Sequence, residues 1–185
     1  MSALGEERFR ELLDARGLLR PGALAPPERS AVFTVFAQRS DAALDIAALK
    51  THASRFFDTK LGLTVAKSYV DAPPASDAAR IVLASDDGAA SGTRLCFGRP
   101  TDAADRAAAE AAERAQSTHG MALLAHRCPT VWLVVRESDD DRVALTLAAI
   151  LASALLGPIL APAGDELFGV RTARMKLEGR PRPYR

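Results

Sequence analysis

The residues of this chain that come nearest to chemistry are Cys96, Cys128, His119 and His126. A thiol beside an imidazole can be deprotonated and act as a nucleophile. His126 and Cys128 lie two residues apart, close enough to share a metal or to activate a thiolate. His119 and His126 are seven apart on what reads as one helix. They return to nearly the same face with about 10 Å of rise, too far for one metal unless Gly120 breaks the helix. No CxxC, HxxxH or HExxH pattern occurs, so neither a metal nor another cofactor is expected. The residues around each cysteine match no local signature of a catalytic thiol. Cys96 and Cys128 are therefore expected as small buried hydrophobes, with the histidines on a solvated or partner-facing surface. A small cysteine/histidine-dependent enzyme is the alternative.

Other chemistry is weaker still. The loop 85–92, SDDGAASG, holds two glycines but joins two strands, and its aspartates would repel phosphate. It reads as a solvated hairpin loop. Asp139, Asp140 and Asp141 sit at a helix start, where negative charge suits the helix dipole without any catalytic role. There is no dinucleotide fingerprint, P-loop or GxSxG elbow.

Charge points to an interaction role. Residues 171–185 carry Arg171, Arg174, Lys176, Arg180, Arg182 and Arg185 against Glu178 alone, a net +5. The whole chain is +1, so the remainder is −4. A basic segment on an acidic body suits an acidic protein groove better than nucleic acid. These six residues are the expected partner-binding set, and removing 171–185 is expected to leave the fold intact. The excess of arginine over lysine, with the abundance of alanine, suggests a bacterial source.

The elements that must position these residues are read from periodicity. Leu4, Phe9, Leu12 and Leu13 form one face of an N-terminal amphipathic helix within residues 1–19. Residues 31–38, 61–70, 80–85, 93–98 and 130–136 read as strands, the last one buried on both sides. Ser40 or Asp41 is expected to cap a helix running to about Phe57. A long alanine-rich helix is predicted from about 101 to 126, weakened at Gly120. Ser138 and Asp141 fit a capping box before an apolar helix from Val143. Residues 167–176 are expected as a last strand, and 177–185 as a basic tail.

The fold class is thus α/β or α+β: one domain over 30–176, with a single mixed sheet of about six strands and helices packed on it. Residues 143–164 carry no charge, long enough to raise membrane attachment as a second alternative. Gly157, Pro158 and Pro162 interrupt that run and favour a buried helix. Charges at Glu6, Glu7, Arg8, Arg10 and Glu11 occupy the place of a signal peptide's apolar stretch, so the cytoplasm is expected. The leading function is a non-catalytic interaction module (an adaptor, assembly subunit or small-ligand sensor) that binds a protein partner or forms a homo-oligomer, with membrane and nucleic acid not expected.

Overall fold

The apolar run TVWLVV has no polar face to offer water, so it must lie between two layers. In the computed structural model it does so as β5 (Thr130–Val135), buried at every position but the last. The structure describes residues 3–24, 27–40, 43–67, 76–85, 91–116 and 119–179. Beside β5 run β1 (Val32–Ala37) and β4 (Gly92–Pro100). Among the described residues the sheet also holds β2 (Thr59–Lys67), β3 (Asp77–Ser85), β6 (Ile159–Leu160) and β7 (Leu167–Phe168). Its order is β2-β3-β4-β5-β1-β6-β7, and every pairing is antiparallel. The expected single sheet with helices packed on it is therefore the architecture.

Strand alternation divides the core. Val35, Cys96, Trp132 and Val134 point to one face, where α2 (Ile46–Phe57), α5 (Arg142–Leu155) and α6 (Val170–Leu177) share their core. Phe36, Val131 and Leu133 point to the other, under α3 (Ala103–Gln116) and α4 (Met121–His126). On that second face α1 (Ala3–Glu11) buries Phe9 with Leu19, Ala66 and Ala78. Small residues let these layers approach. α5 buries Ala144, Ala148, Ala149 and Ala152, and a β-carbon on Gly157 would lie 1.9 Å from the Phe36 carbonyl oxygen.

Several expectations are corrected. Residues 167–176 are not one strand: β7 ends at Phe168 and α6 follows. Val170, Ala173 and Leu177 recur at helical spacing, and Ala173 is fully buried against the core. Deleting 171–185 would therefore remove part of the core, contrary to the expectation of an intact fold. The helix expected over 101–126 is two helices, because Gly120 adopts φ +100° and starts α4 anew. Finally, the caps differ. Asp141, not Ser138, caps α5 by accepting from the Ala144 amide at 2.8 Å. Asp45, not Ser40, caps α2, and Asp41 lies outside the described residues.

The uncharged run 143–164 is split among α5, a left-handed turn at Leu156 and β6. Among the described residues no helix is long and apolar enough to cross a membrane.

Candidate functional site

The two thiols are held apart by the sheet. Cys96, on β4, faces the α5 layer and is fully buried; burial pushes its thiol up to about 12. Cys128 follows α4 on the opposite face, and burial pushes it up to about 11. Its Sγ donates to the Leu124 carbonyl at 3.3 Å. Neither is a thiolate near neutrality. His126 is exposed and its Nε2 lies 2.6 Å from Glu110 Oε1 of α3. His119 is exposed in the α3–α4 connection. Among the described residues no hydrogen bond joins either thiol to a histidine, and no three His, Cys, Asp or Glu side chains gather as metal ligands would.

The acidic residues singled out from the sequence are largely structural. Asp141 caps α5 and binds Arg94 through both oxygens, at 2.7 and 2.9 Å. Burial alone would raise its carboxyl, but the Arg94 guanidinium and the Ala144 and Glu137 amides hold it below the usual range. Asp139 pairs with Arg136. Asp105, at the start of α3, is buried and accepts from Arg99 at 2.6 and 2.9 Å and from Arg29 at 3.2 Å. Burial opposes its ionisation, and the Arg99 hydrogen bonds overcome that, again lowering the carboxyl. Asp86 and Asp87 lie outside the described residues.

A histidine not considered from the sequence makes a contact of chemical interest. His52 Nδ1 on α2 lies 2.9 Å from Ser153 Oγ on α5, and Ser153 lines an apolar cavity of about 360 Å3 with Met121, Leu124 and Val170. An acyl-transfer site would also need amide donors for an oxyanion. Ser153 is an interior residue of α5, whose amides are committed to the helix ladder. Among the described residues no acid orients the imidazole. The pair therefore works as a polar link between two helices. Its members are 101 residues apart, so no local sequence pattern could have exposed it.

The larger cleft has a volume of about 460 Å3 and lies where the end of α2, the start of α5 and the end of α6 meet. Each helix brings one guanidinium: Arg55 from α2, Arg142 from α5 and Arg174 from α6. Arg142 donates to the Leu177 carbonyl, which ties α5 to the end of α6. Among the described residues neither Arg55 nor Arg174 is paired with a carboxylate. Phe56 also lines the cleft and is 40% exposed, with the Arg55 guanidinium 5.5 Å from its ring centre. Asp58 and Glu178 complete the lining as its two acids.

Of the expected partner-binding residues, Arg174 lines this cleft and Arg171 stands exposed on the same helix. Lys176 is engaged by Glu166 and lies over the Phe168 ring. Arg180, Arg182 and Arg185 lie outside the described residues. Arg55 and Arg142 were not anticipated, since each is a single arginine in its own helix. No known family model matches this chain, and no curated protein or solved structure proved similar to it.

Proposed function

We propose that this protein is a non-catalytic interaction module, working in the bacterial cytoplasm, that holds an acidic segment of a protein partner in the cleft between α2, α5 and α6. The observation that carries this reading is the convergence of Arg55, Arg142 and Arg174 on one cleft, none of them paired with a carboxylate among the described residues. A guanidinium fork matches a carboxylate with two parallel hydrogen bonds. The exposed Phe56 ring and Leu177 supply apolar surface beside the arginines, so the favoured segment alternates acidic and apolar side chains. The burial of both thiols further supports a binding rather than a catalytic role. With a net charge of only +1, the chain has no strong general pull on nucleic acid.

The test is fluorescence anisotropy with a labelled peptide of alternating glutamate and leucine. The intact protein should bind it, and the Arg55→Ala/Arg174→Ala double variant should bind at least about tenfold more weakly. A charged hydrogen bond contributes about 1.5–3 kcal/mol when sheltered and less when exposed, and 1.4 kcal/mol is tenfold. Equal binding by the double variant, or equal binding of the peptide with glutamine in place of glutamate, would sink the reading.

A further inference from the structure

We propose that two copies of this chain pair through the outer edges of β2, joining their sheets into one. β2 is an end strand of the sheet and is nine residues long. Among the described residues no strand pairs with its outer side, so a row of backbone donors and acceptors faces outward. Among the described residues the other end of the sheet is β7, only two residues long, an edge too short to template a neighbour.

The sequence of β2 is complementary to itself. Antiparallel pairing about a two-fold axis through Leu63 sets Thr59 against Lys67 of the second copy, Leu61 against Val65, and Leu63 against Leu63. This register engages all nine residues, and any other leaves part of the edge unpaired. Odd-numbered residues of β2 point to the α2 layer, where Leu61 is buried and Leu63 and Val65 are half-buried against the core. Across the axis they would meet the same side chains of the second copy, so the core would continue through the interface.

Charge fits the same register. β2 carries lysine but no acid. Lys67 lies opposite Thr59 of the second copy, one residue from Asp58, which is exposed and sits at the left-handed end of α2. Among the described residues neither Lys67 nor Asp58 has a charged partner within its own chain. The two-fold therefore supplies two Lys67–Asp58 pairs, one at each end of the ladder. Lys60 falls on the opposite face of the sheet against Ala66, so no two lysines confront each other. A closed two-fold dimer is also the commonest assembly of identical chains.

Light scattering after size-exclusion chromatography of the full chain should give twice the chain mass at micromolar concentration. A single-chain mass up to high micromolar concentration overturns the proposal. Location is tested by Leu63→Cys, which places two cysteines on the axis with Cα atoms about 4.5–5.5 Å apart, inside disulfide range. Under a mild thiol oxidant most of this variant should run at twice the mass on non-reducing gels. Thr64→Cys, which would face Gly62 of the second copy, should stay at single-chain mass. Both native cysteines are buried, which keeps the background low. A dimer in which Leu63→Cys fails to crosslink would have to use another surface, and that result overturns the proposal as well.

Discussion

Among the described glycines, Gly157 leaves the least room for a side chain, and Gly157→Ala makes the point measurable. A β-carbon there would stand 1.9 Å from the Phe36 carbonyl oxygen and 2.6 Å from its carbon, both main-chain atoms that cannot rotate away. Ordinary contact begins at 3.4 Å, so the α5–β6 turn and β1 must separate by 1.5 Å. Two main-chain hydrogen bonds tie that turn to β1, Phe36 N to Pro158 O at 2.9 Å and Gln38 N to Leu155 O at 3.1 Å, beside the bond from the Gln38 side-chain amide to the Leu156 carbonyl. Lengthened by that amount, neither is a hydrogen bond. Each contributes about 1 kcal/mol net, and forcing apart a packed core costs about 1–3 kcal/mol more. The expected loss is about 3–5 kcal/mol, a large share of the 5–15 kcal/mol (roughly) that holds a domain together. Urea unfolding followed by the fluorescence of buried Trp132 reads it as a lower midpoint at unchanged slope. Gly62→Ala is the control, since its β-carbon would meet Val82 at an ordinary 3.6 Å. If Gly157→Ala unfolds within about 1 kcal/mol of the parent, the close approach is not what the fold depends on.

Two further outcomes are expected. Asp105 and Asp141 have carboxyls lowered from 3.8 in the fold, so the stability they add is complete above the unfolded value and is lost as pH falls through the lower folded ones. Urea midpoints should decline as pH drops below about 4, and a flat profile down to pH 2 would refute the assignment; in Asp141→Ala, which also strips the α5 cap and leaves the mostly buried Arg94 with only the exposed Glu137 at 3.1 Å, stability at neutral pH should fall by about 2–3 kcal/mol. Cys96 and Cys128 should resist maleimide in the folded protein at pH 7 and pH 8 alike and react fully in urea, because burial holds both thiols far above neutrality; rapid labelling of either in the native state would return the thiol enzyme to consideration.

The sequence by itself determined what depends on a few neighbouring residues. The runs that became β1 and β5 have no polar face. Gly120 is able to take a positive φ and marks the break between α3 and α4. The paired strands around the 85–92 loop are also local, because adjacent alternating runs joined by a short polar loop fold back on each other. Local signals fail where two patterns compete over a short span. Residues 167–176 are apolar enough for a strand, and only the placement of Ala173 against the core makes most of them α6. The α5 cap was decided in the same way: Asp141 is fixed by Arg94, a residue of a distant strand, and among the described residues Ser138 has no such partner.

The candidate site was legible only at one corner. Arg174 stands out because it belongs to a basic segment, whereas Arg55 and Arg142 are isolated in sequence and gain meaning only when α2, α5 and α6 meet. The thiols and histidines drew attention by type alone, yet the sheet sets Cys96 and Cys128 on opposite faces and withdraws both from water. Backbone preference and hydrophobic period act over one or two turns, so a sequence shows them directly. A cleft, an ion pair or a buried thiol arises from contacts between segments far apart along the chain, and those exist only once the layers have packed.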